Sequence, residues 1–185
     1  MPLKELVKFA EDILTRNNIP HVFTGGVATS VYAKPRATQD IDIVTLLPPE
    51  EVDGFLTTIE NAGLKIARRN SVLDKLRKAK PSKIIWDDIF SLDLRIASYK
   101  LDYSAIERAI YIHLFSQKIP IATPEDLIVY KLASFRKADQ YDIEIILQNI
   151  KKPDWSYISK MSRILAEEAN LPQIMKNFTE IKKWR

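Results

Sequence analysis

The chain has 185 residues, 46% of them hydrophobic and 28% charged, which suits a single compact unit with one sizeable core and leaves no room for long disordered tracts. It has no cysteine and only two histidines, His21 and His113, so disulfides, thiolate zinc sites, cysteine nucleophiles and histidine-rich metal sites are excluded, and any metal must be a hard cation held by carboxylates. A net charge of +4 is compatible with phosphate-bearing ligands without requiring them, and an amphipathic, acidic start with no apolar run of roughly 20 residues predicts a soluble cytoplasmic protein with no membrane contact.

Leu3, Leu6, Val7, Ala10, Ile13 and Leu14 recur at helical spacing behind Pro2 and predict an amphipathic helix over 3–16. "HVFT" reads as a short strand, Gly25-Gly26 as a tight turn, and "VATSVYAK" as a helix of about two turns stopped before Pro35. "DIDIVTLL" is a strand whose alternation puts Asp40 and Asp42 on one face and Ile41 and Ile43 on the other. A helix over 50–61, a strand at "LKIAR", a basic helix at "SVLDKLRKAK" and strands at "KIIW" and "IFSLDLRIAS" follow; in the last, Ser91, Asp93 and Arg95 share a face. "AIYIHLF" and "KIPIA" form a strand pair, in which His113 reads as a packed histidine alternating with Tyr111 and Phe115. Thr123, Pro124 and Asp126 then open a helical region with breaks near Pro153 and Pro172, in which Trp155 and Trp184 read as packing anchors. The fold class expected is α/β (α+β): a mixed sheet flanked by helices over 1–122, with a helical part over 123–185 packed on it.

The stretch "FTGGVATSVYAKPRATQDIDIV" concentrates the chemistry. Two glycines between a strand and a helix permit a positive φ and let backbone N–H groups approach a ligand, while the helix start offers its positive end to an anion. An isolated Gly-Gly is more often a plain turn. Asp40 and Asp42 on one strand face repel each other unless a cation lies near, and Mg2+ accepts one or two carboxylates together with phosphate oxygens. The ordinary alternative is a solvated or lysine-paired couple, and for Asp93 an ion pair with Arg95 or a lysine. Together, the turn, the Asp-x-Asp strand and the later Asp93 supply the parts of a metal-assisted nucleotidyl transfer.

On these residues the chain resembles the nucleotidyltransferase superfamily that includes DNA polymerase beta, tRNA CCA-adding enzymes and aminoglycoside nucleotidyltransferases. "GGVATSVYAKPRATQDIDI", with thirteen residues between Gly26 and Asp40, is similar to the small prokaryotic branch containing AbiEii-type toxins. "TPEDLIVYKLASFRKADQYDIEII" resembles that branch's helical segment in which a lysine is followed by an arginine and two acidic residues, here Lys131, Arg136, Asp139 and Asp142. The likeness spans 18–147.

The resemblance implies a nucleotidyltransferase fold and transfer of a nucleoside monophosphate from an NTP to a hydroxyl, with release of pyrophosphate. Asp40, Asp42 and Asp93 would be the catalytic residues and the ligands of two Mg2+ ions, Asp93 also accepting the hydroxyl proton. Gly25 and Gly26 would seat the triphosphate, with Arg36, Lys131 and Arg136 neutralising it. Many members carry Gly-Ser at the turn, so with Gly26 here a hydroxyl contact falls to Thr29 or Ser30 or is absent. In one unbroken helix Lys131 and Arg136 point about 140° apart, so both reach one nucleotide only if the helix bends or the ligand lies across it. The acceptor is a tRNA end, a protein hydroxyl or a small molecule. The alternatives are a non-catalytic nucleotide- or partner-binding member, such as a toxin-antitoxin component with a cognate protein, and a kinase-like phosphotransferase on the same fold.

Overall fold

In the computed structural model, residues 3–33, 38–85 and 89–184 are described. The apolar stripe of the first segment closes α1, Leu3–Arg16, onto the core, and Asn18 in the left-handed region turns the chain into β1, His21–Phe23. α2 (Gly25–Tyr32), β2 (Asp40–Thr45), α3 (Val52–Asn61), α4 (Arg69–Arg77), β3 (Ser82–Ile85) and β4 (Ser91–Ile96) follow. Then come α5 (Lys100–Glu107), β5 (Ile110–Leu114), β6 (Gln117–Ile121), α6 (Pro124–Ser134), α7 (Lys137–Asn149), α8 (Trp155–Glu168) and α9 (Gln173–Ile181). The chain is thus a mixed α/β fold, as its pattern predicts.

Among the described residues six strands form one sheet in the order β3-β4-β2-β1-β6-β5, with β2 parallel to β4, β1 parallel to β6 and the other neighbours antiparallel. Register decides what the sheet presents. Asp42 lies opposite Asp93, Asp40 opposite Ser91, and on the other side of β4 Lys83 lies opposite Asp93. Because side chains alternate along a strand, these polar residues share one face, and Ile41, Ile43, Ile84, Leu92 and Leu94 are buried on the other.

Three expectations are corrected. "LKIAR" is not a strand: Leu64 and Ile66 are buried from the connection between α3 and α4, and Arg68 takes a left-handed conformation that starts the next helix. An alternation of buried and exposed residues in a loop mimics that of a strand. α5 falls where the pattern predicts no element; Leu101 and Ala105 bury one side of it, and the Asp102 carboxylate reaches back to accept from the Ser98 and Tyr99 N–H groups at 2.9 and 3.0 Å. His113 is exposed rather than packed, because β5 is the edge strand and the face carrying Tyr111 and His113 is uncovered.

Thr123 caps α6, accepting from the Asp126 N–H at 3.2 Å. Phe135, at φ 47°, breaks the helix before Arg136, the N-cap of α7. Trp155 meets Phe178 edge-on and Trp184 stacks on Phe135, so both act as packing anchors. The buried residues of α6–α9 join the same apolar cluster as those of the sheet. Among the described residues no helix is long and apolar enough to cross a membrane. Trp86 of "KIIW", the stop before Pro35, and Arg36 lie outside the described residues.

Candidate active site

The glycine pair is explained by what lies beside it. Gly25 begins α2 at φ +53°, and a Cβ there would land on the Asp42 carboxylate; a Cβ on Gly26 would lie 2.7 Å from Thr38 Oγ1. Without side chains, the helix start lies directly against β2. The Thr24 N–H donates to the Asp42 carbonyl at 2.8 Å, and the Gly26 N–H donates to the Asp42 carboxylate. The positive end of α2 and the aspartates therefore face the same space.

The three carboxylates sit in different electrostatic surroundings. Burial pushes Asp42 above the ordinary carboxylate range, against the Gly26 N–H that lowers it, and the like charge of Asp40 adds to the rise. Asp93 is pushed up to about 6, first by burial and then, against the lowering influence of Lys83, by Asp42 and Asp40. Asp40 is held low by hydrogen bonds from Ser91 Oγ at 2.5 Å and Lys83 Nζ at 2.9 Å. Both donors also lean towards Asp93 Oδ1, Ser91 Oγ at 3.4 Å and Lys83 Nζ at 3.8 Å.

These groups open into a cleft of about 760 Å³ with one wall from the β2–β4 face and the other from α6 and the start of α7. Gly25, Gly26, Asp40, Asp42, Asp93, Lys131 and Arg136 all line it. The break at Phe135 is the bend that lets Lys131 and Arg136 share it. Lys131 is buried with its ammonium 2.7 Å from Asp142, whereas Arg136 is exposed, its Nε 2.9 Å from Asp139. Burial would raise Asp139, but hydrogen bonds from Arg136 and Ser134 hold it below the usual range. Thr29 and Ser30 are not brought to the cleft: their hydroxyls donate to the Gly25 and Gly26 carbonyls one turn back.

The donor set suits a hard divalent cation. It is all oxygen, it spans two adjacent strands, and two of its carboxylates hold their protons more tightly than usual, which a nearby cation would reverse. As the side chains stand, no three carboxylates or imidazoles among the described residues are gathered closely enough to enclose a metal.

Two neighbours were not legible in the sequence. Lys83 contacts the aspartates only through the pairing of β3 with β4. Arg95, the ordinary candidate for pairing with Asp93, instead makes two bonds of 2.6 and 2.7 Å to the fully buried Asp102, which also accepts from Tyr130 Oη at 2.9 Å.

A strand, a glycine-opened helix packed on it, paired aspartates on the antiparallel neighbour and a third on the next parallel strand meet at one cleft. The chain belongs to the family described as "Nucleotidyltransferase of unknown function (DUF6036)", which matches residues 1–184. It is an enzyme of nucleotidyltransferase type, and nucleoside monophosphate transfer is the chemistry of that class. Its fold is that of the lincosamide antibiotic adenylyltransferase LnuA in its lincomycin-bound crystal structure, at 15% identity and TM-score 0.54 over 81% of this chain and 99% of that one. Weaker likenesses are to an antigenic nucleotidyltransferase-like protein from Paracoccidioides brasiliensis (15% identity, 96% and 92% covered, TM-score 0.48) and to the antibiotic-resistance factor ANT(2'')-Ia (15%, 97% and 91%, TM-score 0.47). No match is found among curated proteins.

Proposed function

We propose that the cleft transfers a nucleoside monophosphate from an NTP to a hydroxyl acceptor and releases pyrophosphate, with Mg2+ held by Asp40, Asp42 and Asp93. The observation that supports this is the side-by-side register of Asp42 and Asp93 on one sheet face, against the α2 N-terminus and within one cleft. When bound, Mg2+ supplies charge stabilisation at the attacking and leaving oxygens of an in-line displacement. The chain's own residues do the rest. The positive end of α2 at Gly25 and Gly26 receives triphosphate oxygens, and Lys131 and Arg136 neutralise them from the opposite wall. Asp93, on the cleft wall beside Asp42, accepts the proton of the attacking hydroxyl. The acceptor class, whether a tRNA end, a protein hydroxyl or a small molecule, and a place in the AbiEii-like branch with a cognate protein partner belong to this proposal; the Lys131, Arg136, Asp139 and Asp142 segment supports the latter.

The test is incubation with α-labelled NTP, Mg2+ and host lysate. Label on an acceptor with pyrophosphate released, abolished by Asp42→Asn, is the expected result. NDP as the product would mean phosphotransfer instead, and nucleotide binding without transfer would mean a binding protein.

A further inference from the structure

Lys83 occupies an unusual place. It lies on the edge strand β3, opposite Asp93, where burial along the strand alternates so that Ser82 and Ile84 point inward while Lys83 and Ile85 face the open side. Its backbone is fixed by pairing, yet its side chain is half exposed, and the ammonium comes to rest 2.9 Å from Asp40 and 3.8 Å from Asp93. Ser91 Oγ bonds Asp40 at 2.5 Å from the strand between them. A positive charge thus already stands between two of the three carboxylates to which a metal would bind.

We propose that Lys83 is a built-in counter-ion that competes with a divalent metal for Asp40 and Asp93. The inference rests on the metal-dependent reading above and deepens it. An ammonium carries one charge and satisfies carboxylates by hydrogen bonds, whereas a divalent ion carries two and demands the same oxygens in its coordination shell, so one excludes the other. Asp40, bonded to both Lys83 and Ser91, is not free to close around an ion, and Asp93 leans towards the same two donors at longer range, in keeping with the open arrangement of the three aspartates. The half-exposed stem can swing into solvent at little packing cost. Lys83 is therefore a positioning residue: it holds Asp40 and Asp93 in place without metal and yields when nucleotide brings metal with it. Of two ions, the one on the Asp40–Asp93 side binds only by displacing the ammonium and is therefore the second to bind.

The test counts Mn2+ bound by the full chain, from the spin-resonance signal of free Mn2+, with a non-hydrolysable NTP analogue present, in the parent, Lys83→Met, Lys83→Gln and Lys83→Arg. Lys83→Met and Lys83→Gln are expected to bind the second Mn2+ at least tenfold more tightly than the parent, while Lys83→Arg, which keeps the charge, stays close to it. In metal-free buffer the two neutral variants should melt below the parent and recover with Mn2+, a dependence that a merely structural lysine would not give. Identical Mn2+ titrations in the parent and both neutral variants overturn the inference and leave the metal-dependent reading standing. No Mn2+ bound by any of the four overturns both.

Discussion

Gly25 and Gly54 separate two uses of the same residue. Gly54 lies inside α3 with open space where a Cβ would be, so Gly54→Ala should stabilise the protein by roughly 0.5–1 kcal/mol through helix propensity alone. Gly25 has a left-handed backbone, and its missing Cβ is the room in which Asp42 sits. Gly25→Ala should therefore cost about 1–2 kcal/mol in backbone conformation, and the added methyl must push the Asp42 carboxylate off the Gly26 N–H. Moving a catalytic group by about 1 Å lowers a rate by about a hundredfold, which is the loss of transfer expected here. Urea melts and single-turnover transfer measure the two effects. A Gly25→Ala protein that transfers at the parental rate would show that Asp42 need not be held where it is.

The elements differ in how far the sequence specifies them. Asp40 with Asp42, and Asp93 with Arg95, are readable as strand faces because period-two alternation survives in "DIDIV" and "SLDLRI". The sequence does not say which strand lies beside which, and that pairing brings Lys83 to Asp40, while Asp102 of α5 takes the Arg95 guanidinium. α5 is not legible in the sequence because "KLDYSAIE" has only a short apolar stripe and its start is held by one carboxylate. Asp102 accepts from the Arg95 guanidinium, the Tyr130 hydroxyl and two backbone N–H groups at the helix start. Deleting one partner of a buried ion pair costs about 3–5 kcal/mol, so Asp102→Ala should lower the melting temperature by roughly 6–20 °C at ~2–4 °C per kcal/mol. Arg95→Met leaves that carboxylate fully buried without its cation and should lower the melting temperature by a similar amount. A loss below about 2 °C in Arg95→Met would mean that Tyr130 and the two backbone N–H groups satisfy Asp102 without the guanidinium.

Among the described residues, the carboxylates whose hold on a proton is shifted fall into two groups. Asp42, Asp93 and Asp126 hold their protons more tightly in the folded chain than ordinary carboxylates do, burial being the largest cause for each, while Asp40 and Asp139 hold theirs less tightly. A lowered group contributes stability that is complete above its ordinary value of about 4 and is lost as pH falls below that, so between about 4 and 6 only the raised group acts. There the folded chain binds more protons than the unfolded one, and stability falls as pH rises, levelling off above 6 for Asp93. A shift of about two units is worth up to ~3 kcal/mol, which the partial exposure of Asp93 reduces to ~1–2 kcal/mol. The metal-free protein should thus melt several degrees higher at pH 4.5 than at pH 7, and Asp93→Asn should remove much of that difference. Mg2+ needs the same carboxylates ionised. With a non-hydrolysable ATP analogue at a hundredfold excess over Kd it should add about 2.7 kcal/mol at pH 7.5, and clearly less at pH 5, where protons compete. Melts at the two pH values, with and without Mg2+ and nucleotide, read both signs at once. An equal rise at pH 5 and pH 7.5 would place the metal away from Asp42 and Asp93, and no rise at either would remove nucleotide from the cleft altogether.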